Sequence, residues 1–324
     1  MNSTVFPYAP ALHRNDNENH PPGVEPLWQE SSLVCFCDPD AGLAGFHRIG
    51  IHPNKREASV YSWTQVGNRL VSRAKRTALR IPGGSTTGTS LEGVTFTTLD
   101  PLMRYRFDVD RDGVKTSVEF ASFVGPVTLS LNIGKATVAP NHYNMLGRVT
   151  GSVTANGTEQ LFDGVGFLDH SWGPRDANTI LGHRWIMSVF DAQNFVCSIP
   201  TYGPKGSGVV GYLMLDGRLT MVTETRATFM IGSDNQQIEG CRATITDSEG
   251  RSLELEGKTV GEYGVQPYGQ GYFATHAPAV FESGGRRGRG FLEWSSLRFM
   301  PPWHREALGM SPDDPWLVAG QGPR

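Results

Sequence analysis

Apolar and polar residues alternate over most of the chain in short runs broken by turn dipeptides, the period-two pattern of half-buried strands. Arg104 to Val109 alternates, Asp112-Gly113 supplies a turn and Val114 to Phe120 resumes the alternation, which predicts a hairpin. A β-rich run follows at Val127 to Ile133, and Asn156-Gly157 and Asp163-Gly164 predict two further reversals. The later chain repeats the style at Gly208 to Leu215, Asp216-Gly217 and Leu219 to Ile231, then at Cys241 to Ile245, Ser252 to Glu256, Gly271 to Thr275 and Gly290 to Phe299. With 39 Gly and 21 Pro in the chain, few windows support a helix of more than about two or three turns, and no strand–helix alternation is visible. The pattern predicts an all-β protein of two antiparallel domains, barrel-like or sandwich-like. Residues 1–26 hold Asn15, Asn17, Asn19, His20, Pro21, Pro22 and Pro26 without an apolar period and read as a flexible N-terminal arm. The first β domain is then expected over 27–180 and the second over 181–324.

The length of 324 residues agrees with about two domains of ~150 residues each. Lys plus Arg number 29 against 32 Asp plus Glu, a net charge of −3, which gives no electrostatic reason for nucleic-acid binding. Arg286, Arg287 and Arg289, set among glycines, read as a solvated hairpin tip. No uncharged apolar stretch of about 18 residues is present, so no integral membrane segment is expected. The scattered cysteines Cys35, Cys37, Cys197 and Cys241 form no disulfide framework, and together with the absence of a leader pattern they point to the cytoplasm.

Cys35-Phe36-Cys37 has no second close Cys or His pair to complete a zinc pattern, and the spacings of His47 with His52 and of His170 with His183 make no recognisable site. No metal is expected. Neither a dinucleotide fingerprint nor a phosphate loop is present, and Gly83 to Gly88 reads as a surface loop, so no cofactor is expected either.

The densest chemistry lies in Gly164-Val165-Gly166-Phe167-Leu168-Asp169-His170-Ser171-Trp172-Gly173-Pro174-Arg175-Asp176. A carboxylate, an imidazole, a hydroxyl, an indole and a guanidinium are set there among glycines that allow sharp turns. In an extended chain Asp169 and His170 point to opposite faces; a bend at Ser171, ahead of Gly173 and Pro174, would let both enter one cavity.

This stretch resembles the glycine, aspartate-histidine, tryptophan-glycine signature of the carotenoid 1,2-hydratase-like superfamily, which includes AttH-like proteins. Gly284-Gly285-Arg286-Arg287-Gly288-Arg289-Gly290-Phe291-Leu292-Glu293 is similar to the glycine-rich penultimate hairpin of its less characterised branch. The resemblance spans roughly residues 28–300, and Ser171 stands where the hydratases commonly carry Asn. It implies two lipocalin-like β domains, and an activity like those of hydratases acting on isoprenoid double bonds, a phytoalexin hydratase or fungal pericyclases. It also maps the family's pocket aspartate and histidine onto Asp169 and His170.

Water addition to an unactivated C=C, or its removal from a tertiary alcohol, needs a proton donor and surroundings that tolerate a developing cation. A desolvated Asp169 keeps its proton near neutral pH and suits the donor, His170 suits its orienting partner, and the face of Trp172 suits cation stabilisation. His142, Tyr143, His183, Trp185, Tyr263 and Tyr272 are further candidates to line the cavity, and Glu293 is a candidate second buried carboxylate. The sequence therefore predicts a cofactor-independent hydratase or dehydratase acting on a hydrophobic small molecule of terpenoid, steroid-like or polyketide type, in a cavity at the junction of the domains. A cyclase or isomerase of a hydrophobic natural product, and a non-catalytic binder of hydrophobic small molecules, are the alternatives.

Overall fold

A computed structural model describes residues 6–81, 88, 90–131, 139–176, 180–203, 206–233, 237–268 and 272–297. The strands of the first half are β1 (Trp28–Asp38), β2 (Leu43–His52), β3 (Glu57–Val66), β4 (Arg69–Arg80), β5 (Ser90–Leu91), β6 (Val94–Asp100), β7 (Arg104–Arg111), β8 (Val114–Ser122), β9 (Val127–Leu129), β10 (Asn141–Ala155) and β11 (Thr158–Pro174); β7 and β8 form the hairpin predicted at Arg104 to Phe120. There follow β12 (Gly182–Asp191), β13 (Asn194–Gly203), β14 (Gly206–Leu215), β15 (Arg218–Ile231), β16 (Ile238–Asp247), β17 (Ser252–Thr259), β18 (Gly264–Tyr268), β19 (Tyr272–Ser283) and β20 (Arg286–Leu297). The helical content among the described residues is two 3-10 turns, Arg14–Asn17 and Pro53–Lys55. Every pairing is antiparallel, so the protein is all-β.

The chain divides into two compact units: one ends at Arg175, and the second takes over from Asp176. The first is an open sheet in the order β4-β3-β2-β1-β11-β10-β8-β7-β6-β5, with β9 added on β10. Its apolar core lies on one face, where Val34, Phe36, Ile49, Val60, Phe107, Phe120, Tyr143, Met145 and Leu168 pack. The second runs β17-β16-β15-β14-β13-β12-β20-β19 and is closed by pairing of β17 with the far half of β19, an eight-stranded barrel; β18 adds to the near half of β19. Its interior holds Ile186, Val196, Leu213, Ile245, Phe281, Leu292 and Trp294. These are two lipocalin-like units, the first open and the second closed, a distinction that alternation alone left between barrel and sandwich.

Three reversals read from the sequence are tight turns with both central residues left-handed: Asp112 and Gly113 (φ 53° and 77°), Asn156 and Gly157 (51° and 76°), and Asp216 and Gly217 (51° and 77°). Asp163-Gly164 is no turn. It lies inside β11, where a Cβ on Gly164 would stand 2.2 Å from the Cys37 carbonyl oxygen, so glycine is needed there for close strand approach. The arginine-rich tip differs as well, because the turn is Gly284-Gly285 and Arg286 to Arg289 already belong to β20. Part of the Val127 to Ile133 run and most of Gly83 to Gly88 lie outside the described residues.

The N-terminal segment is not a loose arm over its described part. Phe6, Ala9 and Leu12 are buried in the first unit's core, Asn17 Nδ2 donates to Thr98 Oγ1 at 2.7 Å, and Arg14 pairs with Asp100 at 2.5 Å. These few anchors seat a segment rich in Asn and Pro without giving it the period of a strand or an α-helix.

Candidate functional site

β11 lies between β1 and β10 and pairs in unbroken register with both, so its side chains alternate strictly through the motif. The strand runs on through Ser171 to Pro174 without the bend that would turn Asp169 and His170 to one side. His170 and Trp172 fall on the core face with Leu168; Asp169 and Ser171 fall on the opposite face with Phe167. The expected Asp169–His170 pair in one cavity is therefore separated by the thickness of the sheet.

On the Asp169 face, β10 places Asn144 directly across from Asp169 and His142 across from Ser171. All four are buried. Asn144 Nδ2 donates to His142 Nε2 at 3.3 Å, and burial, with the charges of Arg175 and His170, pushes the His142 imidazole down to about 3, so it is neutral. Ser171 Oγ lies 3.1 Å from Ser31 Oγ and accepts from Arg175 Nη2. With its amide turned so that the oxygen faces the two guanidinium groups, the orientation that satisfies both, Gln29 accepts from Arg175 Nη1 (3.0 Å) and Arg48 Nη2 (2.5 Å). The same face carries the rings of Phe46, Tyr61 and Trp63, packed at 5.5 Å and 6.2 Å between centroids.

On the core face, His170 Nε2 donates to Glu30 Oε1 at 2.8 Å, His20 Nδ1 reaches the same oxygen at 2.8 Å, and Ser32 Oγ holds His170 Nδ1 at 3.0 Å. Burial works to raise the Glu30 carboxyl, but the hydrogen bonds from His170 and His20 outweigh it and hold it below the usual range. Trp172 stacks on His20 at 3.9 Å, and Tyr143 stacks on His170 at 5.5 Å. Trp172 and Tyr143 thus belong to the His170 group, and Trp172 faces away from Asp169. His20, Glu30 and His170 each bring a ligand atom within 4.8 Å of the others, a group that could hold a cation and that the spacing of histidines in the sequence did not suggest.

In the second unit His183, Trp185, Glu293 and Tyr272 share the outward face of the barrel. His183 Nε2 donates to Glu293 Oε1 at 2.5 Å, and His276 Nε2 lies 3.2 Å from Glu293 Oε2. The Tyr272 hydroxyl lies 2.9 Å from His183 Nδ1, with Ser295 Oγ 2.6 Å from that hydroxyl. Burial would raise Glu293, yet His276 and His183 together hold it far below the usual carboxylate range. Trp185 Nε1 donates to Cys197 Sγ at 3.1 Å, and Tyr263 sits half-buried ahead of β18.

The profile of a family described as a domain of unknown function, DUF7064, matches residues 13–298. The chain belongs to this family. No curated protein matches the DUF7064 chain. Solved structures do resemble it. A protein of Nitrosomonas europaea described as an AttH is 14% identical with a TM-score of 0.68, covering 91% of this chain and 97% of its own. CghA, solved with Sch210972, is 13% identical with a TM-score of 0.60, covering 84% and 88%. Kievitone hydratase from Nectria haematococca is 8% identical with a TM-score of 0.59, covering 92% and 96%. At these identities the likeness is one of fold alone, and it agrees with the two lipocalin-like β units expected from the motif.

Within this DUF7064 fold, sequence reasoning passed over Glu30, Asn144, His276 and Ser295. Their one sequence signal, a polar residue inside an apolar strand such as His276 in β19, does not name the group each one meets. No helix among the described residues is long and apolar enough to cross a membrane.

Proposed function

We propose that the protein is a cofactor-independent hydratase or dehydratase of a hydrophobic small molecule, with Asp169 as the proton donor. The observation that carries this reading is the buried group of Asp169, Asn144 and His142 on the sheet face away from the apolar core, where packing alone calls for no such residues. The fold shared with kievitone hydratase and CghA supports the same class of reaction and substrate.

In the hydration direction Asp169 gives its proton to one alkene carbon and water adds its oxygen to the other. The oxonium formed then loses a proton to His142. Although His142 is a weak base with a pKa of about 3, an oxonium is a far stronger acid, and a weakly held proton returns readily to Asp169 for the next turnover. Asn144, hydrogen-bonded to His142 and level with Asp169, orients both. Dehydration is the reverse sequence. His170, on the other face, positions the strand through Glu30 and Ser32 and takes no proton from the substrate.

The test is incubation of wild type, Asp169→Asn and His170→Asn with hydrophobic metabolite extracts in isotopically labelled water, read by mass spectrometry. Wild type should gain or lose water, or exchange label, at one compound. Asp169→Asn should fall by about 10²-fold or more while still retaining that compound and its melting temperature. His170→Asn should lose stability and keep turnover per folded molecule. Turnover that survives in Asp169→Asn overturns the assignment.

A further inference from the structure

Arg184 lies on β12 with its side chain turned into the second barrel, on the side of Ile186 rather than of His183. It is buried, only 8% exposed. Its guanidinium carbon stands 5.6 Å, 5.7 Å and 5.3 Å from the ring centroids of Tyr202, Phe229 and Trp294. Nη1 donates to the carbonyl oxygens of His183 and Ser295, both at 3.0 Å. Nη2 and Nε have no partner among the described residues, and no carboxylate there pairs with the charge. Desolvation, the largest influence on the group, pushes it down to about 10, so at neutral pH it remains a cation.

A buried cation is costly unless something neutralises it, and a guanidinium with one edge bound to carbonyls and the other open is half of a bidentate pair. A second unmet group lies on the same interior row. Thr275 pairs in register with Trp294, which pairs with Arg184, and the Thr275 hydroxyl is fully buried without a hydrogen-bond partner. Around them Tyr202, Phe229 and Val265 are only half-buried, so this end of the barrel offers an apolar lining rather than a sealed core. An eight-stranded barrel is wide enough either to be filled by its own side chains or to hold one small ligand.

We propose that this end of the second barrel binds an amphipathic monocarboxylate, its carboxylate forked onto Nη2 and Nε of Arg184 and its apolar body laid against Tyr202, Phe229 and Trp294. One cation matches one negative charge, whereas a phosphate dianion would leave a charge unneutralised among aromatic rings. The site lies within the second unit and does not rest on the hydratase reading.

The test is calorimetric titration of the full chain at pH 8 with decanoate and with decan-1-ol, both below their aggregation limits. Wild type should bind decanoate at least about 10-fold more tightly than the alcohol, because only the acid completes the guanidinium fork. Arg184→Met, which keeps the length of the side chain and removes its charge, should bind the two alike. Should Arg184→Met fail to fold, Arg184→Lys takes its place, with decanoate weakened about 10-fold and the alcohol unchanged. Equal binding of acid and alcohol by wild type, no binding of either, or a preference that survives loss of the guanidinium would each overturn the proposal.

Discussion

His47 and His142 are both held neutral by burial, each pushed down to about 3, His47 with its Nδ1 2.8 Å from Ser62 Oγ. An unfolded chain takes up these protons near the ordinary 6.5, whereas the folded protein resists until about 3. The protein should therefore be fully stable above pH 6.5 and lose up to about 1.4 kcal/mol per pH unit per histidine as acid is added below it. Glu30 and Glu293 are displaced below 4.5 in the fold, so their contribution holds above that value and is lost only beneath it. Urea unfolding across pH 7 to 3.5 should show a decline that starts near 6.5 and steepens under 4.5, and His47→Leu should flatten its first stage. The motif's chemistry was legible at this scale, since Asp169 and His170 stand out in any reading, and so was their divergence in an extended chain. What joins each of them to a partner was not. Ser32 and His170 are 138 positions apart, and only strand pairing brings them within 3.0 Å.

β11 shows how an element reinterprets its residues. Glycines that read as flexibility serve closeness: Gly164 fits against the Cys37 backbone, and a Cβ on Gly166 would lie 2.5 Å from Val149 Cγ1. Gly164→Ala cannot be relieved by rotating a side chain and should cost about 1–3 kcal/mol, seen as a lower urea midpoint at unchanged slope. A cost within error would show that β1 and β11 can separate locally without penalty. The hairpins at Asp112, Asn156 and Asp216 were legible because an Asx-Gly pair between alternating runs has one favoured geometry. Phe6, Ala9 and Leu12 were overlooked because three anchors among prolines match neither a strand nor an α-helix period and leave no element to recognise. A chain lacking residues 1–19 should accordingly melt at a lower temperature than the full protein, by calorimetry.

For the molecule as a whole, the all-β class and the two units followed from period and composition, while strand order did not, since a period of two is the same in every sheet. The first sheet pairs β1 with β11, strands separated by nine others along the chain, a long-range contact that should make refolding slow, milliseconds or longer by stopped-flow tryptophan fluorescence. A sub-millisecond phase carrying the full amplitude would contradict that expectation. The two units also differ in how they end. The barrel joins β17 to β19, whereas the open sheet finishes at β4, a strand of twelve residues that carries Arg69, Arg73, Lys75, Arg76 and Arg80. An unpaired strand border is a template on which a second chain can add, and clustered like charge is one of the means by which proteins forbid it. Among the described residues β4 has β3 as its strand neighbour, and its run of like charge would make it a poor template for a neighbouring copy to zip onto.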